Sequence, residues 1–411
     1  MTPHSDPWPE ARETPLSGGR LLLREWSGAD LGVGLERWRQ LDSRLSDVPL
    51  TASWTWATTW LRVYGDLLSA RVLTGEVSGR TVAACLVAQG VGQSAGPIPL
   101  RTRHVGTAGE PHGHSVVVEY NTVLAEAAHR PVFQEAVAWR CIEELGGDEF
   151  RVDGCPAADL DLWGVRQPPT HVRCREAKSF NLEAAREAGG EPLELLGRST
   201  RQNLRRLLRR YGDVETTWAS SIDEADEILS ELKDLHQARW RQQGQPGAFA
   251  SARFEAFQRQ LVVAGFGEGR VVLYRVRSEG QTVGCLLLLV DRGRLLDYVS
   301  GFAPFEEQPS PGLVTHYLCL SEAAGRGYRA YDFLVGDKRH KENLSTQTDL
   351  LAWAVWRRPT LRNRVIDVLQ FARGLVRRRR TPDVPAPTET LEPASVGAER
   401  PASAALATPP V

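Results

Sequence analysis

The sequence predicts an α/β (α+β) chain: mixed, mainly antiparallel sheets flanked by helices, made by doubling one unit. Three observations predict it. Strand and helix patterns alternate from residue 19 to residue 358. The order helix, glycine turn, strand occurs twice, in "CIEELGGDEFRVDG" and "SEAAGRGYRAYDFLVG". At a constant offset of 201, Gly79, Thr81 and Val82 match Gly280, Thr282 and Val283.

The elements follow in order. Residues 1–18 are Pro-rich and polar and read as a disordered lead-in. In the first unit, 19–190, "GRLLLREW" reads as a strand, "WTWATTWLRVYGD" as an aromatic-rich helix, and "ARVLTGEVSGRTVAACLVAQ" as a hairpin turning at Ser78-Gly79. "HSVVVEYNTVL" reads as a strand, "PVFQEAVAWRCIEELGG" as a helix with Pro131 near its start, and "DEFRVDG" as a strand. The second unit, 191–358, opens on "RSTRQNLRRLLRRYGD". Leu204, Leu207, Leu208 and Tyr211 recur there at helical spacing, and Ser199 with Gln202 fits a capping box. Strand "VETTW", a long helix over 223–243 started by Asp223, helix "SARFEAFQRQLVVAG" and three antiparallel strands in "GRVVLYRVRSEGQTVGCLLLLVDRGRLLDYVSGF" come next. "SPGLVTHYLCLSEAAGRG" is a helix and "YRAYDFLVG" a strand. Residues 359–380 read as an amphipathic basic helix with Leu361, Val365, Val368, Leu369 and Val376 available for one face, and 381–411 as a disordered tail.

Composition narrows the function. The net charge is -1, so the arginine helix is a local feature and a dedicated DNA-binding protein is disfavoured. Six cysteines lack any C-x-x-C pair and read as small buried hydrophobes in a reducing compartment. The histidines show no metal-ligand spacing, and "PHGHS" reads as a loop, so no metal site is expected. There is no signal peptide pattern and no run of about 18 apolar residues. The expected location is cytoplasmic, with the 359–380 helix either packed on the domain or lying peripherally at the inner membrane face.

Two clusters carry candidate chemistry. In "APFEEQPSPG", Pro311 and Gly312 suit a helix entry with Leu313 behind them; Ser310 is either that helix's cap or a phosphate donor, because a helix N-terminus offers free N–H groups. In "YDFLVGDKRHKENLS", Asp332 lies inside an apolar strand and Asp337 follows at its end. Lys338, Arg339, His340 and Lys341 then crowd together, an arrangement that suits proton removal or, alternatively, a charged turn. An acid flanked by Tyr331, Phe333 and Leu334 is costly without a partner. The five arginines opposite the apolar face of the basic helix suit a small anion or plain solvation better than RNA, since no aromatic residue interleaves to stack bases.

These residues carry a resemblance over roughly 20–358. "TASWTWATTWLRVYGD", "RSTRQNLRRLLRRYGD", "GQTVGCLLLLVDRGRLLDYVSGF", "SPGLVTHYLCLSEAAGRGYRAYDFLVG" and the ending "GDKRHKENLS" look like the CelD/BcsL-type acetyltransferases. That branch of the GNAT superfamily is related to the Fem aminoacyltransferases and built from two GNAT-like halves. The most specific features are the arginine helix and a match to G-D-x-x-x-K at Gly336, Asp337 and Lys341. The resemblance implies two tandem GNAT-like domains and transfer of an acyl group, acetyl from acetyl-CoA, to an amine or hydroxyl of a small molecule or saccharide by direct attack. It implies Asp332 or Asp337 as proton acceptor, Tyr298 or His316 as alternative acid/base groups, and Lys341 as a site member. The donor would lie near Ser310, Gly312 and Leu313, with Arg205 and Arg206 on its phosphates. One departure stands out: "EEQPSPG" replaces the R/Q-x-x-G-x-G/A loop and keeps only its last glycine. The alternatives are an aminoacyl-tRNA donor, as in the Fem relatives, and a non-catalytic binding protein.

Overall fold

Alternating apolar residues build long strands, and their turns set the pairing. At both Ser78-Gly79 and Glu279-Gly280 the two turn residues adopt left-handed backbone, φ 49 and 76 and φ 52 and 74, the geometry that closes a two-residue hairpin with the twist of its strands. The register shifts in the two hairpins fall at Gly75/Glu76 and Val276/Arg277, again 201 residues apart. The doubling seen in three sequence identities thus extends to turns and bulges.

The computed structural model describes residues 12–16, 19–95, 98–111, 113–144, 146–164, 168–306 and 308–368. The first half contains β1 (Arg12–Leu16), β2 (Gly19–Trp26), α1 (Leu31–Asp42), α2 (Trp54–Tyr64), β3 (Ala70–Val77), β4 (Arg80–Gln89), β5 (Thr102–Val105), α3 (Arg130–Trp139), β6 (Glu149–Pro156) and β7 (His171–Asn181). After α4 (Leu182–Glu187) come α5 (Arg198–Tyr211), β8 (Val214–Trp218), α6 (Ile222–Gln242), α7 (Ala252–Gly265), β9 (Val271–Ser278), β10 (Gln281–Asp291) and β11 (Arg294–Phe302). The chain continues through α8 (Pro311–Gly325), β12 (Ala330–Val335), α9 (Arg339–Leu344) and β13 (Gln347–Arg357).

Among the described residues one 14-stranded sheet runs in the order β1-β2-β3-β4-β5-β6-β13-β7-β12-β11-β10-β9-β8, with Leu124–Ala125 paired to β4. Its neighbours are antiparallel except β5/β6 and β11/β12. Each half therefore has a meander leading into one parallel pair. The closing strands are exchanged: β7 follows the first parallel pair but lies against β12, while β13 follows β12 but lies against β6. β7 and β13 pair with each other from His171↔Val355 to Ser179↔Gln347.

The main core lies on one face of this sheet, where α2 meets α7 through Trp56 and Phe257, edge to face at 5.2 Å. The opposite face of the second half is covered by α4, α5 and α8. The mixed α/β class expected from the sequence is the one observed.

Several local expectations change. "HSVVVEYNTVL" forms no strand apart from its last residue, Leu124. Tyr120 has a left-handed φ of 59, and individual bonds replace a ladder: Asn121 N–H donates to Gly154 O, Asn121 Nδ2 to Val105 O and Thr51 Oγ1 to Tyr120 O. Gly197, extended, precedes the arginine helix, so Ser199 is inside it and the capping box is absent. The long helix is capped by Ser221, which accepts from Glu224 N–H, and not by Asp223. Of the 359–380 helix, residues 361–368 are helical; Ile366 and Asn363 are buried, while Leu361, Val365 and Val368 are exposed. Leu369 and Val376, like the tail, lie outside the described residues. No helix of the described residues is long and apolar enough to cross a membrane.

Candidate active site

The site forms where a parallel pair opens. β11 and β12 are paired at Arg294↔Ala330, Leu295↔Tyr331 and Leu296↔Asp332, after which both strands continue apart. Each has a bulge at the parting. On β11, Leu287 pairs Val299 and Leu288 pairs Asp297, leaving Tyr298 as the extra residue. On β12, Ala177 pairs Val335 and Ser179 pairs Asp332, so that Phe333 and Leu334 face a single residue of β7. Bulges bend and twist a strand locally, and here two opposed bulges splay the pair. The backbone of β11 that faces β12 is left outside the ladder beyond Leu296.

The end of β12 is held by side chains. Leu334 has φ 58, a strained conformation for a branched residue. The Asp332 carboxylate accepts its N–H at 2.7 Å, Glu119 accepts the next N–H, from Val335, at 2.8 Å, and Lys341 Nζ donates to Val335 O at 2.9 Å. Gly336 has φ 151, a backbone conformation that side-chain-bearing residues rarely adopt, and an added Cβ would stand 2.8 Å from Lys341 Nζ. Asp332 also accepts from Tyr120 Oη at 2.7 Å and is ion-paired with Arg294, whose guanidinium lies over the Tyr120 ring, 4.4 Å from its centre. Asp349 completes this network, 3.1 Å from Arg294.

Burial sets the electrostatics. It pushes Asp332 up, against the pull of Arg294, and pushes Lys341 down. Glu119 rises to about 7, because burial outweighs the Val335 N–H bond and the nearby Lys341. The second Glu119 oxygen has no hydrogen-bond partner. Together with Thr51, Trp56, Leu296, Tyr298 and Leu334, Glu119 lines a largely apolar cavity of about 20 Å³, room for roughly one water.

On the other face, α8 begins beside the splay. Ser310 has a left-handed φ of 52 and makes no side-chain capping bond, so the cap role is not taken. Gly312 faces the Phe302 ring, which an added Cβ would meet at 3.3 Å, and Leu313 is buried in the core. Tyr211 Oη donates to Pro309 O at 3.1 Å, tying the arginine helix to this loop. Arg205 is exposed and paired with Glu194 at 3.1 Å, and Arg206 donates to Asn203 at 2.9 Å.

The structure thus gathers Asp332, Lys341, Tyr298 and His316 around the splay. Asp337 is 99% exposed and 4.0 Å from Arg175, at the rim. Both oxygens of Asp332 are taken up in holding β12, Tyr120 and Arg294. The sequence reading missed Glu119 and Tyr120, which reach the second half's site from the first. The signal was present: Glu119 is an acid in the apolar run "VVVEY", the same anomaly that marked Asp332.

Residues 198–342, from α5 into α9, match the family described as the acetyltransferase (GNAT) domain. No curated protein sequence matches the chain. Among solved structures, 84% of the chain is similar to all of FemX, with a TM-score of 0.53 at 10% identity. The same share is similar to 97% of the C-terminal domain (DUF2156) of a putative lysylphosphatidylglycerol synthetase from Agrobacterium fabrum, with a TM-score of 0.50 at 14% identity. At such identities the likeness is one of fold. The domain match over the second half, with a splayed parallel pair at its centre, supports an acyltransferase.

Proposed function

We propose that this chain transfers an acetyl group from acetyl-CoA to an amine or hydroxyl of a small molecule or saccharide, as a CelD/BcsL-type enzyme of envelope or exopolysaccharide modification working in the cytoplasm. The observation that carries the reading is the parting of β11 and β12 after Leu296↔Asp332, with Glu119 and Lys341 buried at its mouth.

In this mechanism the acceptor attacks the thioester carbonyl directly. The new C–N or C–O bond forms as the C–S bond breaks, the acceptor's proton passes to Glu119, and the thiolate departs to be protonated. A base with a pKa of about 7 is suited to neutral pH. The unladdered backbone at the Tyr298 bulge is placed to polarise the carbonyl oxygen, and Lys341 adds positive charge where negative charge develops. Asp332 acts indirectly, by fixing Leu334 and Tyr120.

A second donor, aminoacyl-tRNA as in the Fem relatives, is the alternative reading, and the fold likeness to FemX supports it. Isothermal titration with acetyl-CoA and CoA at two salt concentrations, repeated on Arg205→Ala/Arg206→Ala, separates the donors. Salt-sensitive binding weakened by the double variant supports the acetyl-CoA reading. No binding at millimolar ligand overturns it, and charged tRNA is then titrated.

A further inference from the structure

Asp297, His316 and His340 come together beside the splay although 19 and 24 residues separate them in sequence. Asp297 is the residue next to the β11 bulge, His316 lies on the second turn of α8 and His340 is in α9. One ligand atom from each lies within 4.8 Å of the other two. Asp297 and His316 are fully enclosed, at 2% and 0% exposure.

The bonding around the pair is incomplete. His316 Nδ1 is 2.9 Å from Tyr331 Oη, while Nε2, 3.6 Å from the Asp297 carboxylate, has no hydrogen-bond partner. The other Asp297 oxygen has none either. A buried nitrogen and a buried carboxylate that face one another unbonded leave a polar gap, and such gaps are costly unless something fills them. Each neutral imidazole has a ring-nitrogen lone pair to give.

We propose that Asp297, His316 and His340 bind a divalent transition-metal ion of the zinc type. Two imidazoles and one carboxylate are a donor set for such an ion, with one position left open. Tetrahedral ligands about 2 Å from zinc stand roughly 3.3 Å apart. The Asp297–His316 separation, 3.6 Å, is already near that spacing. The His340 nitrogen, within 4.8 Å of the others, has to close by up to about 1.5 Å, and its ring, now nearly parallel to that of His316, has to turn toward the ion. Tyr331 plays the part of the outer hydrogen-bond partner that orients a metal-bound imidazole through its other nitrogen. An ion here would face the nearby cations Lys338, Lys341 and Arg239, of which the Lys341 ammonium is anchored on the Leu334 and Val335 carbonyls. Linear spacing hid this cluster, because its three members come from a strand and two helices that meet beside the splay. It does not depend on the acyl-transfer reading, although His316 and the neighbouring Lys341 belong to both.

The test uses the full chain, stripped with chelator and titrated with Zn²⁺ by calorimetry and with Co²⁺ by visible absorption. The expected result is one ion per chain with the d–d bands of a low-coordinate site. Affinity should fall by at least about tenfold in His340→Ala and His316→Gln, and by less in Tyr331→Phe. Lys341→Met should bind more tightly, since a repelling charge is gone; adventitious surface binding would not respond. Circular dichroism of each variant in chelator identifies any that fail to fold, and His340→Ala, at the cluster's outer edge, is the decisive one. Absence of stoichiometric uptake, or uptake unchanged in folded His340→Ala, overturns the proposal.

Discussion

Replacing Glu119 by Gln should make the protein more stable and less active, and the two effects should share one pH dependence. Gln keeps the shape and can still accept the Val335 N–H, so the perturbation is confined to the charge. Glu119 rises from an ordinary 4.5 to about 7 in the folded chain, so between these values the folded state holds a proton that the unfolded state has released. Stability therefore falls as pH rises from about 4.5 to about 7. A shift of about 2.5 units corresponds to about 3 kcal/mol at 1.36 kcal/mol per unit, a penalty fully present above pH 7 and absent below about 4.5. Glu119→Gln removes it. Its melting temperature should match the parent near pH 4.5 and exceed it by about 4 °C at pH 8, given about 2 cal/mol/K of unfolding entropy per residue. Turnover at pH 8, where the parent's base is ionised, should drop by about 100-fold, and the parent's own rate should climb through pH 7. The assay is a pair of thermal melts with acetyl transfer measured across the same buffers. A variant that melts like the parent at both pH values would refute the electrostatic reasoning, and one that keeps full turnover would remove Glu119 as the base.

Asp332→Asn keeps an oxygen for the Leu334 N–H but removes the charge that Arg294 pairs with, so it should cost about 3 kcal/mol in denaturant unfolding, with Asp349→Asn costing visibly less. Arg205→Ala/Arg206→Ala touches only exposed partners, so it should change stability by no more than about 0.5 kcal/mol while lowering acetyl-CoA affinity and flattening its salt dependence. Changing the exposed Leu361, Val365 and Val368 together to Ser should reduce co-sedimentation with anionic vesicles by at least about fivefold if this stripe, followed in sequence by Arg377–Arg380, rests on a membrane surface; unchanged sedimentation would leave the helix as packing alone.

The sequence spoke clearly where periodicity is local. Hairpins at Ser78-Gly79 and Glu279-Gly280, the arginine helix and α8 could all be read because each is specified by its own apolar repeat and turn residues. It was silent where an element is defined by a distant partner. "HVRCREAKSFN" and "QTDLLAWAVWR" were not recognised as β7 and β13, since each is stabilised by the other and by a strand of the opposite half. "HSVVVEYNTVL" misled for the opposite reason: its β-branched composition favours a strand, but Tyr120 turns left-handed to send its hydroxyl to Asp332. The splay itself comes from two bulges, which leave no mark in composition, and so the placing of Glu119 and Lys341 beside it was invisible.

The exchange of β7 and β13 gives the chain an order of events during synthesis. When the first half has left the ribosome, β6 lacks one neighbour and β7 lacks both; β7 gains β12 once residues 330–335 emerge, but the gap between β6 and β7 closes only with residues 347–357. For that interval the nascent chain exposes hydrogen-bonding edges that other chains could capture. The contact that completes the sheet spans about half the molecule, the kind of closure that slows folding. A cut between the halves would therefore yield two fragments that each display the seat for the other's last strand, and whose recovery requires them to meet.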